Sequence, residues 1–221
     1  MREAGLAFCA RRLAPCPAAA RTSSSSAAAI GFPLGVAVAK RPKLQNPVFA
    51  VLNVMQTIPS IALFGLLIVP LSALVAAVPR LATFGVGGIG VTPAIIALVL
   101  YALLPVVRNT SVGLTGVDSA AIEAGRGMGM SQGQIFREIE LPLALPVLLA
   151  GLRIVTVQAV GLAVVAALIG AGGLGTFVFE GLGQYAVDLV LLGALPAICL
   201  ALGADFMLQI LTAVLRRRFA P

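Results

Sequence analysis

The sequence predicts an all-α, polytopic membrane protein with about five transmembrane helices, and three observations carry that expectation. Its 221 residues are 60% hydrophobic and only 10% charged, with a mean hydropathy of +1.07, whereas soluble domains are about one quarter charged. Stacked soluble cores are excluded. The apolar runs are continuous and do not alternate with polar residues as barrel strands would. The chain also holds 24 glycines and 14 prolines, which membrane helices tolerate because close packing and neighbouring groups compensate for both.

A hydrocarbon core about 30 Å thick needs roughly 20 apolar helical residues. Spans are expected near 47–70, 92–107, 143–169 and 187–214. A fifth, at 23–39 (SSSSAAAIGFPLGVAVA), is shorter and opens on serines. The transmembrane domain then covers 23–216, and residues 1–22 form a basic segment of poorly defined structure.

Lysines and arginines near span ends set orientation. Lys40, Arg41 and Lys43 follow the first span. Arg108 follows the third, Arg126 and Arg137 lie in the segment after it, and Arg216, Arg217 and Arg218 follow the last. With five spans these groups share one side, which is then cytoplasmic, and the opposite side has Arg80 between spans. The net charge of +7 is therefore a topology signal, and no nucleic-acid partner is expected. Arg2, Arg11, Arg12 and Arg21 run against the rule if the first span crosses. Either that span is incomplete or 1–22 is not the natural beginning, and arginines interrupt what a signal peptide would keep apolar.

Residues 118–142 interrupt the apolar chain with six charges. Asp118 is placed to cap a short helix in which Ala121, Ala124 and Met128 recur at helical spacing, and Gly129 is suited to the left-handed turn that ends it. Ser131 and Gln134 form an S-x-x-Q capping box opening a second helix, with Ile135, Phe136 and Ile139 on one face. Pro142 is expected to end that helix near Leu141. An apolar stripe on each arm needs shelter. A cytosolic partner, the lipid headgroups and the protein's own spans would each supply it.

The signature inside this segment is E-A-(G), three residues, G, nine residues, I-x-L-P, formed by Glu123, Ala124, Gly125, Gly129, Ile139, Leu141 and Pro142. It resembles the cytoplasmic EAA signature of permease subunits of bacterial ATP-binding-cassette importers, with Gly125 where alanine is usual. Glycine there is expected to loosen the first arm by up to about 1 kcal/mol. The stretches QTIPSIALFGLLI, YALLPVVRNT, ELPLALPVLLAGLRI and ALIGAGGLG look like the permeases that import glycine betaine, choline, carnitine or proline for osmoprotection. The resemblance implies the type I importer fold in the bacterial cytoplasmic membrane, with 118–142 as the ATPase-coupling element. It implies two cassette ATPase subunits, a second permease of the same or a different chain, and an extracytoplasmic substrate-binding protein.

The chain has no G-x-x-x-x-G-K-[ST], and Gly125, Gly127 and Gly129 fail the G-x-G-x-x-G spacing. ATP hydrolysis is therefore expected on another chain. With no His, no G-x-S-x-G and no metal-like cysteine spacing among Cys9, Cys16 and Cys199, no enzyme activity, metal or cofactor is expected here. An ion-coupled secondary transporter is the rival transport reading, since it would use intramembrane acids, and the acids available are Asp205, Glu180 and Asp188. A membrane scaffold recruiting a different cytosolic protein is a third reading. Asp205 lies eleven residues before Arg216 and Arg153 eleven after Pro142. At about 1.5 Å per residue they share a depth, and an Arg153–Asp205 ion pair between spans is expected. Gln56, Thr57, Tyr101 and Asn109 are placed to line a path, or to hydrogen-bond between helices. The glycine-rich loops FGVGGIGV and IGAGGLGT are read as close backbone packing at the outer gate, with GAGGLGTFVFEGLGQY forming a short re-entrant or interfacial helix.

Overall fold

The computed structural model describes residues 15–80 and 86–219, with side chains for 25–80 and 86–214. Residues 1–14, including Arg2, Arg11 and Arg12, lie outside the described residues. Among the described residues all regular structure is helical, joined by short breaks and loops, with no strand. In order it forms α1 (Pro15–Lys40), α2 (Pro42–Thr57), α3 (Ser60–Ala77), α4 (Val91–Thr115), α5 (Ser119–Gly127) and α6 (Gln132–Ile135). A π-helical turn (Phe136–Glu140), α7 (Leu141–Val165), a 3₁₀ turn (Ala166–Ile169), α8 (Leu174–Gly183) and α9 (Val187–Phe219) complete it. Among the described residues four helical stretches are long and apolar enough to cross a membrane: Ser60–Ala77, Val91–Thr115, Gln132–Ile169 and Val187–Val214. The apolar part of α1, Ser25–Lys40, is shorter.

The central helix is α4, which packs against α1, α2, α3 and α7. More than half of its apolar window (56%) is buried, against 17% for α3 and 11% for α9, so those two turn most of their apolar surface outward. Small residues bring α4 close to its neighbours. Gly31 of α1 faces Val106, and Gly151 of α7 faces Asn109 so closely that a Cβ there would sit 2.6 Å from the Asn109 Cβ. Such contacts replace the hydrophobic drive that helices lack in lipid.

Beyond α1, which opens at Pro15 rather than near residue 23 and so takes in part of the segment expected to be poorly defined, three boundaries differ from the sequence expectation. The single span expected at 47–70 is two helices, because Ile58 (φ −69°, ψ 125°) and Pro59 (φ −55°, ψ 137°) are extended. A residue before proline is pushed out of the helical region, and an unbroken apolar run conceals this. The span expected to end at Val107 continues to Thr115, taking Arg108 into the helix. Two of its polar side chains bond back within the helix, Asn109 Nδ2 donating to the Pro105 carbonyl at 2.7 Å and Thr115 Oγ1 to the Ser111 carbonyl at 2.9 Å, while the buried Ser111 hydroxyl has no hydrogen-bond partner among the described residues.

The third difference matters most for function. The second arm of the polar segment does not stop near Leu141 but runs through the π turn straight into α7. Proline in a helix lacks an N–H and its ring presses on the carbonyl four residues back. Here the ladder widens just ahead of Pro142, and the Leu141 N–H reaches the Phe136 carbonyl five residues back. A π turn is a usual way to carry a helix past such a point.

The two ends of the bundle are distinct. At one, Lys40, Leu114, Thr115, Ser119 and Glu140 surround a cavity of about 390 Å³ beside the polar segment. At the other, the Gly90 N–H donates to the Ile169 carbonyl at 2.9 Å, joining the loop before α4 to the end of α7. Gly170 there takes the left-handed conformation (φ +81°) that closes the 3₁₀ turn, and the short helix α8 follows.

Candidate functional site

The polar segment is built by its caps. The Ala120 N–H donates to Asp118 Oδ1 at 3.0 Å, starting α5. Gly129 (φ +80°) turns the chain, and the Met130 N–H reaches back to the Gly125 carbonyl at 3.1 Å. Ser131 and Gln134 form a reciprocal capping box: the Ser131 N–H donates to Gln134 Oε1 at 2.8 Å, and the Gln134 N–H to Ser131 Oγ at 3.4 Å. The caps at Asp118 and Ser131 satisfy N-terminal donors, and the Met130 N–H satisfies a C-terminal carbonyl, each of which would otherwise be left open.

The two arms close on each other. Gly125 is buried, and a Cβ on it would sit 2.6 Å from Ile139 Cδ1 and 3.5 Å from Ile135 Cγ1. Ile135 is 1% exposed. This corrects two expectations. The apolar stripe of the second arm is sheltered by the first arm, because an amphipathic pattern specifies that a face is covered and not by what. Gly125 does more than loosen a helix: its missing methyl makes room for Ile139. Among the residues left outward are Glu123, Ala124, Gly129 and the tip residue Met128, which is 74% exposed. Leu141 and Pro142 are half-buried at the root of α7. Not anticipated from the spacing is Lys40, whose Nζ lies 4.4 Å from the centroid of the Phe136 ring. That cation–π contact ties the end of α1 to the segment.

At the level of the α2–α3 break lies a polar knot. Pro105 has no N–H, so the Tyr101 carbonyl, four residues earlier in α4, lacks its helical donor. The Gln56 side chain fills the place, with Nε2 2.9 Å from that oxygen. In return the Tyr101 hydroxyl donates to the Ile58 carbonyl at the break. Gln56 and Tyr101 are thus brought together, each covering a main-chain group exposed by a proline. Thr57 is exposed and bonds its own helix, Oγ1 to the Val54 carbonyl at 2.7 Å. Asn109 lies against Gly151. Sequence reasoning missed the parts of Ile58 and Pro105. A proline inside a helix always implies a carbonyl in need four residues back, and that signal was available.

Arg153 of α7 and Asp205 of α9 are also brought together. The guanidinium donates through both Nε and Nη2 to the two carboxylate oxygens, the Nη2 to Oδ2 distance being 2.6 Å. This fork is the favoured geometry for arginine and carboxylate. The pair opens on a cavity of about 590 Å³ lined also by Ala150, Ile154, Val157 and Gln158. Among the described residues no three metal-ligating side chains converge.

Residues 31–220 match the family described as binding-protein-dependent transport system inner membrane component. The chain belongs to this family. It is 43% identical over 180 residues to the carnitine transport permease protein OpuCB of Listeria monocytogenes, a match covering 81% of this chain and 75% of that one. It is 42% identical over 186 residues to the osmoprotectant import permease protein OsmW of Salmonella typhimurium, covering 84% and 81%. Its fold is similar to that of a chain of the inward-facing MetNI methionine ABC transporter, with a TM-score of 0.78, 26% identity and coverage of 91% and 93%. As an inner-membrane transport component of the type I importer fold, the chain is a permease, and the family works with a cassette ATPase and a binding protein.

Proposed function

We propose that this permease is the membrane-spanning subunit of an ATP-driven importer of osmoprotectants such as glycine betaine, carnitine, choline or proline. It works as one of two permease subunits, of the same or different sequence, with two separate cassette ATPase chains on the cytoplasmic face and a binding protein on the other. The observation that carries this reading is the unbroken run from the capped segment through the π turn into α7. A rigid body with its tip in the ATPase and its shaft in the membrane lets one motion serve both. ATP biases transport only if the ATPase binds the two arrangements of the permease with different affinity. Glu123, Ala124 and Gly129 present the tip. Gly125, Ile139, Leu141 and Pro142 hold it to the shaft, so displacement of the tip moves Arg153 as well.

The test uses Glu123→Arg, which reverses an exposed charge and touches no core residue. The variant is expected to retain its helix content and its insertion while losing co-purification with the cassette ATPase. Undiminished co-purification together with undiminished solute-stimulated ATP hydrolysis would count against the assignment.

A further inference from the structure

We infer that the Arg153–Asp205 pair is a latch that opens to hold a zwitterionic solute in the membrane pathway, the guanidinium taking the solute's carboxylate and Asp205 its ammonium. This rests on the importer reading above and narrows it to a substrate class and a pair of residues.

Four observations lead there. The first is depth, since Arg153 lies near the middle of α7 and Asp205 well inside the apolar window of α9. The second is accessibility: the side chains are 40% and 23% exposed rather than enclosed between their helices. Ionised side chains at such depth are costly against lipid and face protein or water instead. The open side of the pair is therefore turned to a pathway or to another subunit.

The third observation is the cavity. Its volume of about 590 Å³ falls within the roughly 300–1,000 Å³ typical of small-molecule sites. One guanidinium and one carboxylate meet in it, while Ala150, Ile154 and Val157 supply apolar wall and Gln158 one amide. That combination suits a quaternary, fully methylated ammonium, which has no N–H to donate and presents methyl groups around its charge. A carboxylate on the same solute is matched by the two parallel N–H groups of the fork. Neither tyrosine is placed to cage the cation by its ring: Tyr101 is 8% exposed and bonded to Ile58, and Tyr185 is 95% exposed after α8.

The fourth is mechanical. The pair bridges two helices, and only α7 is continuous with the ATPase-facing segment. Motion of α7 relative to α9 separates guanidinium from carboxylate, and a zwitterion fills the gap with both charges answered. Closing the latch restores the pair and expels the solute.

The experiment uses the complete complex of permease, cassette ATPase and binding protein in ATP-loaded proteoliposomes, with radiolabelled glycine betaine and choline as probes. Arg153→Gln is expected to lower glycine betaine uptake at least about tenfold, and choline uptake much less, because choline has no carboxylate for Arg153. Asp205→Asn is expected to lower uptake of both. A mere clamp between helices is distinguished by the neutral pair Arg153→Gln with Asp205→Asn, which can still hydrogen-bond: restored glycine betaine uptake overturns the inference, and continued loss supports it. Should Arg153→Gln not assemble, Arg153→Lys keeps the ion pair without the fork. A several-fold rise in the apparent KM for glycine betaine is then expected, and an unchanged KM overturns the latch. A wild-type complex that moves choline but not glycine betaine also overturns it and leaves the importer standing. One that moves no osmoprotectant overturns the importer reading itself.

Discussion

The Gln56 side-chain amide donates to the Tyr101 carbonyl at 2.9 Å, and the Tyr101 hydroxyl donates to Ile58, two residues beyond Gln56. This exchange joins the broken crossing of α2 and α3 to the proline-bearing centre of α4. Its origin is the carbonyl that Pro105 leaves without a helical donor.

Replacing Gln56 with Leu strands that carbonyl, and an unsatisfied buried acceptor costs about 1–3 kcal/mol. Pro105→Ala supplies the missing N–H from within α4. In the double variant Gln56→Leu with Pro105→Ala, thermal unfolding of the purified permease is therefore expected to show a smaller loss than the two single losses added. Strict additivity would mean that Gln56 does not serve this oxygen.

Gly151→Ala places a methyl 2.6 Å from the Asn109 Cβ, so α4 and α7 must separate. Overpacking of this kind costs about 1–3 kcal/mol. Gly161→Ala on the same helix meets nothing within 4 Å and is expected to be neutral or to stabilise by up to about 1 kcal/mol through helix propensity. Equal unfolding midpoints for the two variants would contradict the close approach at Gly151.

Gly129→Val forces a β-branched residue into the left-handed conformation at φ +80°, a strain of at least about 1–2 kcal/mol. The turn between the arms is expected to deform and ATPase stimulation by loaded binding protein to fall. Gly127→Ala, with open space around it, is the matched control and is expected to retain stimulation. Loss in both variants would place the sensitivity in the helix rather than in the turn.

Much of the segment was legible because its determinants are local. Asp118, Ser131 with Gln134 and Gly129 each act within a few residues, and capping chemistry can be read from spacing alone. The membrane part was less so. Hydropathy averages over Pro59 and hides the break there, and the polar run after Val107 reads as an exit until Asn109 and Thr115 are seen bonding back to their own helix. Pro142 reads as a stop until the ladder is seen to widen. The partner of an amphipathic face is a tertiary fact, which is why the burial of Ile135 and Ile139 against Gly125 could not be anticipated. Arg153 and Asp205 were matched in depth by counting from the span ends, while the cavity beside them depends on how α7 and α9 lean.

The energy source is what separates an ATP-driven importer from an ion-coupled carrier most directly. Proteoliposomes holding the permease with its cassette ATPase and binding protein, loaded with ATP and free of any Na⁺, H⁺ or K⁺ gradient, are to be assayed for accumulation of labelled glycine betaine. The predicted result is concentrative uptake that stops when a non-hydrolysable ATP analogue replaces ATP. Uptake that needs an ion gradient and proceeds without ATP would contradict it and restore the secondary-transporter reading.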